Sequence, residues 1–220
     1  MSMPEQLSFS GNAVERPWDA RLARRLVTPL KDSWVTPNHL TTVRLAVGLA
    51  AAAAFLPGTY GWSNVAAVLL ILSNFLDHTD GELARVSGKS SRIGHIYDLA
   101  SDAAVTVMLF IAIGVGVGGK SGSALRISPA ALGLVAGCAI ALIFYLRLRI
   151  ENMAGKQASR QASLGGFETE DVLYLLPLVT LSDSVTPFLL AAALCAPLFA
   201  VWVAIDYCRV LRRQPARTGR

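Results

Sequence analysis

Four regularly spaced aspartates are the residues of this chain best suited to chemistry. Asp77 and Asp80 are three residues apart, and Asp98 and Asp102 are four apart. In a helix, both spacings place the two side chains of a pair on one face. The intervening Ser87 to Ser91 supplies a polar turn, so the two helices are expected to pack antiparallel. The sequence therefore predicts that the two pairs converge.

Converging carboxylates repel one another unless a cation lies among them. Carboxylate oxygens favour Mg²⁺, Mn²⁺ or Ca²⁺ over zinc, and Mg²⁺ often shares its coordination shell with substrate phosphates. Ionisable residues at membrane depth are rare and are usually functional. The pattern therefore predicts a magnesium or manganese site that supports phosphoryl transfer. Arg85, on the same side as Asp77, can neutralise a phosphate or brace a carboxylate.

The composition indicates that a membrane holds these residues. The chain is 53% hydrophobic and only 16% charged, against about 25% charged residues in a typical soluble domain. No nucleic-acid-binding motif accompanies the net charge of +5. We predict an all-α, integral membrane bundle of six transmembrane helices. The six apolar segments cover residues 38–57, 61–80, 93–117, 129–148, 169–182 and 185–208, with breaks at Leu56-Pro57-Gly58, Gly118-Gly119 and Ser182-Asp183-Ser184.

The distribution of basic residues predicts the orientation. With a cytoplasmic N-terminus, 18 of the 20 Lys and Arg residues fall on the inside, and only Lys120 and Arg126 fall outside. The positive-inside rule therefore places both termini and the aspartates at the cytoplasmic face of the inner membrane.

The segment before the first span is predicted to lie on the membrane. Residues 13–30 place Leu22 and Leu26 beside Arg21, Arg24 and Arg25, a pattern typical of an amphipathic interfacial helix. We therefore expect a polar segment over residues 1–12, one transmembrane domain over 13–212, and a basic tail over 213–220.

The acidic region resembles a known enzyme signature, that of the CDP-alcohol phosphotransferases. That signature is Asp, two residues, Asp-Gly, two residues, Ala-Arg, eight residues, Gly, three residues, Asp, three residues, Asp. Its eight fixed positions are met at Asp77, Asp80, Gly81, Ala84, Arg85, Gly94, Asp98 and Asp102. The segment Thr36-Pro37-Asn38-His39-Leu40-Thr41 also resembles the sequence that often begins these proteins, although Thr36 and Pro37 suit a helix start equally well.

The resemblance implies a reaction and roles for residues. Members of this family transfer a phosphate-linked alcohol from a CDP-alcohol to an acceptor hydroxyl and release CMP. The first three aspartates of the signature would bind the metal, with two ions expected, and Asp102 would be the general base and contact a second ion. The CDP-alcohol would be bound by Asn38, Asp77, Gly81, Ala84, Arg85 and Gly94. The donor would be CDP-diacylglycerol or a polar CDP-alcohol, and homodimerisation through membrane helices is implied.

Several further residues have open roles. Arg147 and Arg149, at the cytoplasmic end of the fourth span, suit either a phosphate on the acceptor or a positive-inside anchor. The acids at the start of the fifth span suit either the acceptor or the helix dipole. The sequence assigns no role to His78, His95, Glu82, Glu170 or Asp171.

Two other classes of protein share some of these features. Intramembrane prenyltransferases bind a diphosphate through Mg²⁺ and Asp-rich motifs, but they resemble two Asp-x-x-x-Asp motifs in a longer chain. A divalent-metal transporter would also place carboxylates in a membrane, but it is often built from inverted repeats with broken helices, and neither is evident in the sequence. Release of CMP would distinguish the phosphotransferase from both.

Overall fold

The computed structural model describes residues 18–89, 91–121, 127–154 and 175–213, and these residues form helices and no strand. A short 3-10 turn, Thr28–Leu30, continues the first helix. The α-helices of the described residues are α1 (Trp18–Val27), α2 (Pro37–Phe55), α3 (Tyr60–Ser87), α4 (Arg92–Ser121), α5 (Pro129–Ala154), α6 (Leu176–Leu181) and α7 (Val185–Arg213).

Within the described part of the chain, three helices are long and apolar enough to cross a membrane: Arg92–Gly119, Pro129–Ile150 and Val185–Arg212. The predicted all-α class is thus confirmed for the described residues, three of whose helices are candidate membrane spans. Two further predicted spans fall on α2 and α3, whose mean hydropathy is lowered by polar residues such as Arg44, Asn64 and Asn74. The fifth predicted span, residues 169–182, is described only from residue 175 onward. The number of six spans stays a prediction.

The turn between α3 and α4 lies where the sequence predicts it. Helix α3 ends at Ser87, and Gly88 follows with φ 66°, the left-handed conformation that ends many helices. Helix α4 begins at Arg92, and the Ser91 hydroxyl accepts a hydrogen bond from the Gly94 N–H at 2.9 Å. The two aspartate pairs therefore lie on consecutive helices joined by a four-residue connection, 88–91.

One predicted break is wrong. Helix α4 continues through Gly118 and Gly119 to Ser121, although glycine costs about 1 kcal/mol in a helix interior. Among the described residues, nothing lies within 4 Å of a Cβ built at Gly119, whereas elsewhere along α4 its backbone closely approaches that of α5. A Cβ at Gly133 of α5 would collide with the Phe110 carbonyl of α4. By contrast, the predicted turn at Ser182-Asp183-Ser184 is present between α6 and α7.

The core lies among α2, α3 and α4, with α5 packed on α4 and α7 packed on α5. Its fully buried side chains include Phe55, Leu70, Leu109, Phe110 and Ile113. Burying a side chain of this size contributes about 1.5–3 kcal/mol in water, and close packing matters more where lipid replaces water. Two of these helices, α3 and α4, also carry the four aspartates, and α2 packs against both of them.

Helix α1 packs on α3 through Ala23 and Val27, which are buried. Leu22 and Leu26 are exposed on its other side, as is Arg25. Helix α1 falls within the predicted segment 13–30, and residues 13–17 lie outside the described part of the chain.

Candidate active site

Three of the four aspartates meet at one point. One carboxylate oxygen from each of Asp77, Asp98 and Asp102 lies within 4.8 Å of the others. Asp77 comes from α3, and the other two come from successive turns of the start of α4. Their side chains are 40%, 35% and 46% exposed, so a ligand can reach them. The two pairs were predicted to converge, and three of their four residues do so.

Asp80 is held separately. Its Oδ2 accepts a hydrogen bond from the Thr41 hydroxyl of α2 at 2.9 Å, and the residue is buried. The Thr41 hydroxyl also lies 3.1 Å from the Pro37 carbonyl oxygen. Because a hydroxyl has one hydrogen, it can donate to only one of the two acceptors at a time. Asp80 therefore belongs to the same helix face as Asp77, but its carboxylate is directed to α2.

A buried arginine joins the three converging carboxylates. Arg44 of α2 is 3% exposed. Its Nη1 donates to Asp77 Oδ1, and also lies 2.9 Å from Asp102 Oδ1. Its Nη2 lies 3.0 Å from Asp98 Oδ1 and donates to the Asp98 carbonyl oxygen at 3.1 Å. One guanidinium therefore contacts all three side chains.

Arg44 and Thr41 were not predicted from the sequence to lie at the site. In the sequence, Arg44 contributes only to the count of basic residues that sets the orientation. A signal was nevertheless present, because Arg44 is the one charged residue within the apolar segment 38–57, and such residues usually have a partner or a function. Thr41 lies one helical turn before Arg44, so both side chains point to the same side of α2.

The carboxylates lie at one end of a cavity of about 530 Å³ among α2, α3, α4 and α5. His78 and His95 also line the cavity at its polar end. The remaining walls are mainly apolar, and they include Leu70, Val105, Leu109, Phe144 and Leu148. The cavity therefore combines a charged end with a hydrophobic interior, which suits an amphipathic ligand.

Two of the residues expected to bind the nucleotide lie together. A Cβ at Gly94 would be 2.7 Å from Asn38 Oδ1, so glycine is what lets the side chain of Asn38 approach α4. Gly81 faces open space, since nothing lies within 4 Å of a Cβ built there. Gly81 therefore has backbone that a ligand could approach, whereas Asn38 occupies the corresponding space at Gly94. Neither glycine lines the cavity among the described residues.

The other two expected nucleotide-binding residues occupy the last turns of α3. Ala84 is partly exposed, and the Arg85 side chain is 70% exposed. Arg85 Nη1 donates to Glu82 Oε1, although Glu82 is almost fully buried. The Arg85 guanidinium therefore lies at the surface and is paired with the buried carboxylate of Glu82.

The two basic residues predicted to contact an acceptor lie on α5. The Arg147 guanidinium lies over the Phe199 ring of α7, 5.5 Å from its centroid. Arg149 is exposed, and neither residue lines the cavity. Glu170 and Asp171, whose roles the sequence leaves open, lie outside the described residues.

Residues 34–205 match the CDP-alcohol phosphatidyltransferase family. This range includes the acidic cluster, Arg44 and helices α2 to α6. The match favours the phosphotransferase interpretation over a prenyltransferase or a metal transporter.

A curated relative and several solved structures are similar to the chain. The bifunctional IPC transferase and DIPP synthase of Rubrobacter xylanophilus is 30% identical over 147 residues. That alignment covers 67% of this chain but only 30% of the relative, so the chain spans less than a third of that protein.

Two structures of a phosphatidylinositol phosphate synthase from Mycobacterium tuberculosis share the fold. The structure with CDP-DAG bound is 21% identical, with a TM-score of 0.59 and coverage of 91% of this chain and 98% of the other. The structure in complex with manganese and citrate is also 21% identical, with a TM-score of 0.56 and 92% of each chain covered.

Proposed function

The chain belongs to the CDP-alcohol phosphatidyltransferase family, and from this premise we propose that it transfers a phosphatidyl group from CDP-diacylglycerol to a polar alcohol in phospholipid biosynthesis. The composition of the cavity walls is the observation that favours this donor. Its carboxylates suit a metal-bound diphosphate, and the apolar walls that adjoin them suit acyl chains. The CDP-DAG bound to the mycobacterial relative supports the same donor.

The donor set fits a divalent metal. Three carboxylate oxygens from different residues lie within 4.8 Å of one another and are accessible. Asp77, Asp98 and Asp102 would hold magnesium or manganese, and Asp80 would complete the set for two ions. When bound, the metal would neutralise the diphosphate and stabilise the CMP leaving group. Manganese in the relative's structure supports this proposal.

Asp102 is proposed as the general base. Its carboxylate accepts the proton of the acceptor hydroxyl, and the acceptor oxygen forms a bond to the phosphorus of the phosphatidyl group. The bond between that phosphorus and the bridging oxygen breaks, and the electron pair leaves with CMP. Catalysis of this kind depends mainly on positioning and on neutralising charge.

The chain's other residues would position the nucleotide. Asn38 and Gly94 lie together at the start of α4, and Gly81, Ala84 and Arg85 share one face of the last turns of α3. Asp77 would both bind the metal and contact the CDP-alcohol donor. The exposed guanidinium of Arg85 is proposed to contact a phosphate, while its pairing with buried Glu82 restricts its position.

We propose a multi-pass inner-membrane enzyme with six spans, a single transmembrane domain over residues 13–212, and a homodimeric assembly. The active site and both termini would face the cytoplasm, as the distribution of basic residues indicates. Helix α1 would lie in the interface, because exposed Leu22 and Leu26 can enter lipid near Arg25. The acceptor is proposed to be a phosphorylated or hydroxyl-rich alcohol near Arg147 and Arg149.

A second candidate function differs in the donor. The Rubrobacter xylanophilus relative, named as an IPC transferase and DIPP synthase, supports transfer from a water-soluble CDP-alcohol such as CDP-inositol. The apolar walls of the cavity favour the lipid donor, because a soluble donor has no acyl chains to fill them.

The two functions are separated by following CMP release. The protein, purified into lipid nanodiscs with Mg²⁺, would be given CDP-diacylglycerol or CDP-inositol with glycerol phosphate, serine, inositol or inositol phosphate. We expect CMP from CDP-diacylglycerol with one acceptor, and none after chelation of the metal. CMP from CDP-inositol alone would establish the second function, and no CMP from any pair would refute both.

A further inference from the structure

Arg44 is placed to act on the carboxylates themselves. It is 3% exposed, and its contacts are with the side chains of Asp77, Asp98 and Asp102 and with the Asp98 carbonyl oxygen. A buried cation is tolerated only when it is paired. Its location is therefore set by the cluster, which lies on two other helices.

The cluster also needs a cation when no metal is bound. Three carboxylates whose oxygens lie within 4.8 Å of one another carry three negative charges, and charges at such distances repel strongly where water is partly excluded. Arg44 supplies one positive charge through its guanidinium, which contacts all three carboxylates.

We propose that Arg44 is the built-in counter-cation of the site: it holds the three carboxylates together before metal binds and competes with the incoming divalent ion. Because the proposal concerns the metal site, it rests on the proposed function. Arg44 is a positioning residue here, since it acts through the aspartates rather than on the reacting atoms.

The competition follows from which atoms are occupied. Nη1 contacts Asp77 and Asp102 through one oxygen of each, so a metal held by those two oxygens would displace it. Nη2 has an additional acceptor in the Asp98 carbonyl oxygen. This backbone contact needs no carboxylate, so it can keep the guanidinium beside the site after Nη1 has been displaced.

The test measures metal binding rather than turnover. Mn²⁺ affinity would be measured by electron paramagnetic resonance of the free ion, and the Tm of the metal-free protein by thermal unfolding, for wild type, Arg44→Gln and Arg44→Lys. We expect Arg44→Gln to bind Mn²⁺ at least ~10-fold more tightly, because a positive charge beside the metal has been removed. Its metal-free Tm should be lower than that of wild type, and Mn²⁺ should raise its Tm by more.

Arg44→Lys should lie between the two proteins, since one ammonium cannot contact three carboxylates as a planar guanidinium does. It also decides the outcome if Arg44→Gln does not fold without metal. Arg209→Gln, which removes an exposed positive charge from α7, is the matched control and should leave both measurements unchanged.

The outcomes separate this inference from the proposed function. Wild type that binds no Mn²⁺ would overturn the metal site and the competition together. Wild type that binds Mn²⁺, with Arg44→Gln and Arg44→Lys binding equally or more weakly, would overturn the competition alone. An unchanged metal-free Tm in both variants would overturn the role of Arg44 as counter-cation.

Discussion

The acidic cluster and the basic side chains of α5 are held in different ways. Asp77, Asp98 and Asp102 lie on two helices and are joined by a buried arginine from a third. Arg147 rests on one aromatic ring, and Arg149 is exposed. Where several helices fix a group, its geometry is determined before substrate binds, as chemistry requires. The exposure of Arg149 suits a contact that selects an acceptor.

The largest expected effects are at the acidic cluster. Asp102→Asn should lower kcat by ~10²–10⁴-fold, the usual contribution of a general base, and donor binding should fall less than it does in Asp77→Asn. Asp77→Asn should abolish turnover and also weaken Mn²⁺-dependent donor binding, because it removes a metal ligand. The measurements are CMP release and equilibrium binding of CDP-diacylglycerol with and without Mn²⁺.

Asp32→Asn is the matched control, because it removes an exposed carboxylate between α1 and α2 and should leave both measurements unchanged. Full turnover in Asp77→Asn would contradict the assignment of Asp77 as a metal ligand. Loss of donor binding without a separate loss in kcat in Asp102→Asn would remove its assignment as the base.

A smaller effect is expected at the support of Asp80. Thr41→Val removes the hydroxyl that donates to Asp80 Oδ2 and leaves a side chain of similar size. A hydrogen bond to a charged group contributes about 1.5–3 kcal/mol, so turnover should fall by ~10-fold or more if that carboxylate must be held in place. The neighbouring Thr42→Val tests specificity, because Thr42 makes an exposed contact with the Tyr97 hydroxyl.

Steady-state kinetics and the Tm of both threonine variants check this prediction. Equal loss of turnover in the two variants would show that the effect is general to α2. Unchanged turnover in Thr41→Val would mean that the catalytic site does not depend on this contact with Asp80.

The cluster was more predictable from sequence than its partners. The spacing of Asp77, Asp98 and Asp102 fixes their helix faces, and the short polar turn fixes which helices meet. Arg44 comes from α2, more than thirty residues before Asp77. Its pairing depends on the packing of α2 on both α3 and α4, which no local pattern specifies. The continuation of α4 through Gly118-Gly119 likewise departs from local propensity, which favours a break at paired glycines.

The orientation of the Asp80 carboxylate, away from the other three, also could not be predicted from sequence, and the reason is similar. Helical spacing places it on the same face as Asp77, but the Thr41 hydroxyl of another helix determines the direction of its carboxylate. Spacing therefore predicts which residues share a face. The contacts of individual atoms are decided by tertiary packing.

The smallest expected effect is at the basic side chains of α5. Arg147→Ala should raise the KM for a phosphorylated acceptor by about fivefold, since an ion pair open to solvent contributes up to ~1 kcal/mol. The donor KM and kcat should not change. Initial rates at varied acceptor concentration, with donor saturating, measure the effect.

Phe199→Leu is the companion variant, because it keeps the guanidinium of Arg147 and removes only the ring beneath it. A cation–π contact contributes about 0.5–1 kcal/mol at exposed sites, so this variant should show a weaker change in the acceptor KM. An unchanged acceptor KM in Arg147→Ala would identify the residue as a membrane anchor. A fall in kcat instead would contradict the division between a catalytic acidic cluster and an acceptor-selecting Arg147, because Arg147 would then act in the chemical step.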